Sequence, residues 1–232
     1  MKRCILFSIV LLVCGIVRAA EPAFNTLTDA EKQAGWKLMF DGTSTGWHTL
    51  GAKDMPKGWN VDQDALHHLP KGGGGDLTTN DLYENFELLF EWKVAPNTNS
   101  GVKYRVQEQA GKSSAFGIEY QVIDQVGKAD NQGKHAVASL YDVFAPKDAR
   151  PKPVGEWNQS KILVKGNHIE HWLNGIETVE AEYGSDAWKE AVAKSKFKNS
   201  PSYGNPAKGH IILQDHGDEV WFRNIKIREL KD

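Results

Sequence analysis

The sequence predicts an all-β protein, a sandwich or jelly roll of two antiparallel sheets with one or two short helices. Three observations carry that expectation. Short segments that alternate apolar and polar residues recur along most of the chain, separated by turn residues. Glycine is frequent, 22 of 232 residues, which suits many tight turns. Only two segments carry helix-start signals. Many short strands and few helices bury their apolar faces by packing sheet on sheet. With 40% hydrophobic and 25% charged residues, the chain reads as one folded domain and not as a disordered or fibrous one.

The first twenty residues stand apart from that pattern. Lys2 and Arg3 precede an uncharged, mostly apolar run from Ile5 to Val17, and Val17-Arg18-Ala19 offers small residues for cleavage. This is the pattern of a secretory signal peptide over residues 1–20, cut after Ala19 or Ala20, and it implies a periplasmic or secreted protein. The run is 13 residues long, too short to span a bilayer. A lipid anchor on Cys14 is the alternative, but Leu11-Leu12-Val13 lacks the small residue expected beside such a cysteine. Both cysteines, Cys4 and Cys14, fall inside this segment, so residues 21–232 are expected to form a single domain without disulfide or reactive thiol. Loss of Lys2, Arg3 and Arg18 takes the formal charge from −2 to −5. With no basic block, neither a nucleic-acid partner nor membrane contact after cleavage is expected.

The elements follow in order. Thr28-Asp29-Ala30-Glu31 is a capping box for a short helix that Gly35 can close. Trp36–Phe40 reads as a strand entering the Asp41-Gly42 turn. Further strands are expected at Trp59–Val61, Phe86–Val94, Gly101–Val106, Phe116–Ile123 and Ala138–Phe144. A second group follows at Asn158–Val164, His168–Leu173, Ile176–Ala181, His210–Gln214 and Val220–Arg228. Gly166-Asn167 and Asn174-Gly175 are hairpin turns. A second helix starts at the Ser185 N-cap, carries Trp188, Ala191 and Val192 at helical spacing, and ends near Phe197. Gly72–Gly75 is a loop and not a phosphate cradle, since no strand, Lys-Ser/Thr pair or helix surrounds it.

Side chains alternate across a strand, so chemistry gathers on one parity. Val102, Tyr104 and Val106 share a face opposite Lys103 and Arg105. Ile118, Tyr120 and Val122 alternate with Glu119 and Gln121. Ile211 and Leu213 alternate with His210, Ile212, Gln214 and His216. Three strands thus each pair an apolar face with a face of large functional groups, which predicts a groove beside one sheet; a solvated outer face is the competing interpretation. Asp124 joins Glu119 and Gln121 only if a bulge near Ile123 turns it back, and paired carboxyl groups could then divide acid and base roles. His135 lies in a polar loop ahead of Tyr141 and Asp142. His171 shares a face with Ile169 and Leu173 and reads as a buried structural histidine. Trp47 is a candidate sugar-stacking platform. No metal-ligand spacing appears, and neither metal nor cofactor is expected.

Seven segments, in order, carry a family resemblance. They are Leu38-Met39-Phe40-Asp41-Gly42 with Gly46-Trp47, Asn99-Ser100-Gly101-Val102-Lys103-Tyr104, Glu119-Tyr120-Gln121-Val122-Ile123-Asp124, Leu140-Tyr141-Asp142, Gly155-Glu156-Trp157-Asn158, His171-Trp172-Leu173-Asn174-Gly175, and Gln214-Asp215-His216-Gly217 with Phe222-Arg223-Asn224-Ile225. From about Gly35 to Leu230 the chain resembles the 3-keto-disaccharide hydrolase family. The resemblance implies a concanavalin A-like jelly roll, exported in bacteria, acting on glycosides oxidised at C3. It implies a substrate supplied by a separate sugar 3-dehydrogenase. A C3 ketone acidifies the C2 proton, so a base can remove it and the aglycone leaves C1; water then adds back. For that route Glu119 or His135 is the candidate base, with Asp124 as a further carboxyl. Lys103 and Arg105 are cationic donors for the enolate oxygen. Gln121, Tyr141, Gln214 and His216 could hold sugar hydroxyls, and His216 could protonate the leaving oxygen. Two other classes stay open: a non-catalytic carbohydrate-binding module, and an ordinary jelly-roll glycosidase. Jelly-roll β-glucanases use a similar Glu-x-Asp-x-x-Glu strand, but Gln121 replaces the middle acid here.

Overall fold

Thirteen strands form among residues 23–107, 117–127, 131–205 and 208–231, which the computed structural model describes. In chain order they are β1 (Lys37–Leu38), β2 (Trp47–Thr49), β3 (Trp59–Asp62), β4 (Ala65–His68), β5 (Leu77–Thr79), β6 (Phe86–Val94), β7 (Asn99–Val106), β8 (Ile118–Ile123), β9 (Asn158–Lys165), β10 (His168–Leu173), β11 (Ile176–Glu182), β12 (His210–Leu213) and β13 (Val220–Glu229). Two helices, α1 (Asp29–Gln33) and α2 (Asp186–Ala193), and a 3-10 turn at Gly133–His135 accompany them. The expected signal segment, residues 1–20, and the expected strand start at Phe116 lie outside the described residues.

The strands make two antiparallel sheets. One has eight strands, β11-β10-β9-β6-β13-β4-β3 with β1 added on β13; the other has five, β2-β5-β12-β7-β8. Period-two alternation explains their pairing face to face. β6 buries Phe86, Leu88, Phe90, Trp92 and Val94 and leaves the residues between them half-exposed. The five-stranded sheet answers with Val102, Tyr104, Tyr120 and Val122, and Phe90 meets Tyr120 edge to face at 5.5 Å. Buried polar atoms in this layer find partners. Trp92 Nε1 donates to Ser160 Oγ at 2.8 Å, and the Tyr120 hydroxyl lies 2.7 Å from the same oxygen. The Tyr104 hydroxyl lies 2.9 Å from His171 Nε2. Burial pushes the His171 pKa down to about 3, so this histidine is neutral and structural, as its parity predicts.

Four local features depart from the expected pattern. The short strands β2, β4 and β5 were not legible as strands; β4 and β5 are buried at every position, so alternation is missing. Ala138–Phe144 is not a strand. Ala138 and Asp142 both adopt left-handed backbone, φ +62°. Between them, Ala138 N donates to Gln121 O, and Tyr141 N donates to Glu119 O. The segment therefore covers the free edge of β8 without continuing as a strand. Helix α2 stops at Ala193, short of Phe197, because the Ser195 hydroxyl takes over: it donates to Val192 O and accepts from Phe197 N. Finally, β7 carries a bulge. His210 faces Val106 while Ile212 faces Lys103, so β7 spends one more residue than β12 over the same stretch, and Arg105 sits there at φ +55°. The extra residue reverses the parity beyond it. Val106 leaves the face of Val102 and Tyr104 and packs with Leu50 and Ile212 in a small separate cluster.

Candidate active site

The face of β7 and β8 turned away from the main core forms the floor of a cleft of about 290 Å³. Lys103 and Glu119 are direct cross-strand partners on it. Asn99 continues the floor on β7. Gln214, Asp215 and His216, in the segment leaving β12, make one wall. Tyr141, Lys196 and Phe197 make the other. Gly101 is what lets the floor close: a Cβ there would lie 2.9 Å from Glu119 Oε1 and 3.0 Å from Gln214 Oε1.

Electrostatics single out Glu119. Its side chain is buried, and loss of hydration pushes its carboxyl up to about 7 from the ordinary 4.5. The charges of Lys103, Lys196 and His135 oppose that rise, and Asp76 adds to it. Near neutral pH the group therefore exists in both forms, as a residue that must take and return a proton requires. Lys103 Nζ lies 3.2 Å from Asp76 Oδ2 in a pair that is almost wholly buried. His216 stands at the rim; partial desolvation and the nearby Lys103 charge lower its pKa. The side-chain oxygens of Gln214 and Asn99 are buried without a hydrogen-bond partner, which leaves both amides for a ligand's hydroxyl groups.

Of the residues expected from sequence, the cleft brings together Glu119, Lys103, Tyr141, Gln214 and His216. The others are corrected. Arg105 leaves the floor at the bulge; its guanidinium donates to Gly204 O and Gly166 O and clamps loops. Asp124 does not turn back, since β7 and β8 stay in register through Ile123. Its carboxylate instead accepts from Asn97 N at 2.8 Å and Val126 N at 2.9 Å, closing a turn. Gln121 shares the face of Glu119 but is 1% exposed, and its amide donates to His135 O from below the wall. His135 does not line the cleft. Its ring stacks on Tyr141 at 4.8 Å, and its Nε2 lies 3.1 Å from Asp142 Oδ1. Trp47 is 5% exposed and its Nε1 donates to Met39 O, so it is core and not a sugar platform.

Among the cleft residues that the sequence did not single out are Asp76, Lys196, Asn99 and Asp215. Asp76 follows the glycine run, where nothing marks its direction. Lys196 sits in a lysine-rich segment and reaches the cleft only because Asp142 Oδ2 accepts from its backbone N at 2.6 Å. Its ammonium then lies 4.2 Å from the Tyr141 ring centre. Asn99 and Asp215 did carry a signal, since both stand inside the ordered family segments.

Fold and cleft together define a jelly-roll sandwich domain with a cleft of ionisable residues on one outer face. The chain belongs to the family of the 3-keto-alpha-glucoside-1,2-lyase-like domain, whose family model matches residues 35–228. This agrees with the resemblance carried by the seven segments. The chain is 32% identical to a Bacteroides thetaiotaomicron protein named 3-keto-disaccharide hydrolase, over 84% of this chain and 79% of that protein. A solved Parabacteroides distasonis structure, provisionally named a glycosyl hydrolase, is 34% identical, with a TM-score of 0.81 over 90% of this chain and 100% of that one. A second provisional glycosyl hydrolase from the same organism is 27% identical, with a TM-score of 0.66 over 84% of this chain and 99% of that one.

Proposed function

We propose that the protein cleaves glycosides already oxidised at C3, with Glu119 as the base that removes the C2 proton. The C2–H electron pair moves toward C1 as the C1–O bond to the aglycone breaks, and the C3 ketone carries the developing enolate charge. The Lys103 ammonium stabilises that oxygen. His216, at the rim, returns a proton to the leaving oxygen, and water adding across C1 and C2 gives net hydrolysis. Gln214, Asn99 and Tyr141 hold sugar hydroxyls. The carrying observation is a buried carboxyl at the cleft floor, poised near neutrality, directly across the strand pair from a buried lysine. Family membership and the name of the Bacteroides relative support the oxidised substrate. A charged cleft with few exposed aromatic faces suits proton transfer better than passive sugar binding.

The N-terminal pattern supports export to the periplasm or medium, and the substrate class supports supply by a separate sugar 3-dehydrogenase. The test of function is direct. The protein lacking residues 1–20 is incubated with a glucoside and, separately, with its 3-keto form, and aglycone release is followed. Release from the 3-keto form alone is expected. Release from the unoxidised glucoside alone would make the protein an ordinary glycosidase, and tight binding without release would make it a sugar-binding module. Export is checked by N-terminal sequencing of periplasmic protein from a Gram-negative host, where a start at Ala20 or Glu21 is expected and an intact Met1 contradicts it.

A further inference from the structure

We propose that Asp76 is a positioning residue, one carboxylate that holds the Lys103 ammonium off Glu119 and at the same time ties down the Gln214–His216 wall. This rests on the roles given above to Glu119 and Lys103, and adds a residue that none of the family segments contains.

Asp76 is 2% exposed and both of its oxygens are engaged. Oδ2 lies 3.2 Å from Lys103 Nζ, and Oδ1 accepts from Asp215 N at 2.9 Å. Asp215 extends the tie: its carboxylate accepts from Gly75 N at 3.1 Å and from Gly217 N at 2.7 Å. One side chain therefore joins β7 to the wall that follows β12. The glycine run explains how it gets there. A Cβ on Gly72 would lie 2.6 Å from Gly58 Cα, and one on Gly74 would lie 2.7 Å from Lys57 N. Only a run without side chains packs this flat on the 56–58 loop and delivers Asp76 to the start of β5.

The chemistry gives this arrangement a purpose. A buried ammonium takes the nearest carboxylate as partner. Without Asp76 that partner is Glu119, the cross-strand neighbour of Lys103. Such a pair would hold Glu119 ionised and weaken it as a base. With Asp76 in place, the Lys103 side chain is held for the enolate oxygen while Glu119 keeps its proton affinity. The charges acting on Glu119 come from four places: Lys103 on β7, Asp76 before β5, Lys196 after α2 and His135 in the 3-10 turn.

Three variants test this, Asp76→Asn, Lys103→Met and the double, with the exposed Glu182→Gln as control. The first readout needs no substrate: a carboxyl-carbon NMR titration of Glu119. Its midpoint is expected to fall in Asp76→Asn and to rise in Lys103→Met. The second readout is turnover of a 3-keto-glucoside. Asp76→Asn is expected to lose about 10²-fold in kcat, as small displacements of catalytic groups do. The double variant is expected to be no slower than Lys103→Met alone, because asparagine keeps the oxygen that accepts from Asp215 N and loses only the charge that holds Lys103. A folded Asp76→Asn protein with an unmoved Glu119 midpoint overturns the proposal, and so does a double variant whose losses multiply. If Asp76→Asn does not fold, Asp76→Glu takes its place: it keeps the charge but moves it by one methylene, so wild-type turnover there would equally overturn the positioning role. If the wild-type protein turns over no 3-keto-glycoside, the underlying functional reading fails, while the titration still decides the role of Asp76.

Discussion

Two outer faces of this sandwich carry charged residues at alternate strand positions, and they use them in opposite ways. On the eight-stranded sheet, Arg223 Nε lies 2.8 Å from Glu91, Lys161 lies 3.5 Å from Glu170, and Lys93 stands between the rings of Trp157 and Trp221. Each charge there has a local partner and access to solvent. On the five-stranded sheet, Lys103 and Glu119 lie under walls that exclude water, and Glu119 is shifted to about 7. The same alternation thus gives a solvated face in one sheet and a chemical site in the other. What separates them is cover. The β8 edge segment and the loop after α2 bury Lys103 and Glu119 on one face, whereas the 23–31 segment lying over the other leaves its ion pairs partly exposed.

The largest expected effect is on turnover. Glu119→Gln keeps size and hydrogen bonding but removes the base, so kcat is expected to fall about 10²–10⁴-fold while sugar affinity survives. Assays of kcat and KM separately check it. Charge removal sharpens the contrast between buried and solvated sites. Lys103→Met leaves the buried Asp76 without its cation and is expected to cost about 3–5 kcal/mol in urea unfolding. Lys37→Met breaks the exposed pair with Glu229 on the other sheet and is expected to cost under about 1 kcal/mol. Equal costs would break the comparison.

The pH dependence of stability comes next. The Glu119 carboxyl titrates higher in the folded protein than in the unfolded chain, so the folded state binds the extra proton. Its contribution is fully present below pH 4.5 and is lost as pH rises through about 7. That loss amounts to about 3 kcal/mol. Glu119→Gln is therefore expected to be more stable than wild type above pH 8 and no more stable at pH 4, in paired thermal melts. A constant difference across this range contradicts the burial of a titrating carboxyl. The smallest effects mark residues that sequence alone placed in the site. Trp47→Phe and Asp124→Asn are expected to lower the melting temperature, through lost bonds to Met39 and to Asn97 and Val126, with kcat and KM unchanged. Selective loss of kcat in either would return that residue to the site.

These corrections show what strand patterning can and cannot carry. Parity placed Lys103 and Glu119 correctly because β7 and β8 stay in register from Asn99 to Tyr104. It failed for Arg105 and Val106 because one inserted residue reversed the faces, and no residue type announces that bulge. Gln121 does lie on the face of Glu119 as parity predicts, and His135 is a loop candidate, but neither a shared face nor a loop says which group meets the cleft and which supports it. The fold was legible from β6, β9, β10 and β13, whose long alternating runs each bury one face. The short strands β2, β4 and β5 were not, being set by their neighbours. Asp76 and Lys196 reach the cleft through tertiary ties, a glycine-packed loop and a backbone bond to Asp142, which local sequence does not express.

The central claim is that Glu119 takes the C2 proton of a C3-oxidised glycoside. The measurement that meets it most directly is exchange at that carbon. A 3-keto-glucoside is incubated in D₂O with wild-type protein and with Glu119→Gln, and C2 deuterium incorporation and aglycone release are followed together by NMR. In addition, a C2-deuterated substrate is compared with the unlabelled one. The account predicts that wild-type release slows with C2 deuteration and that Glu119→Gln neither releases aglycone nor exchanges C2 beyond the buffer rate. C2 exchange by Glu119→Gln at the wild-type rate would contradict it.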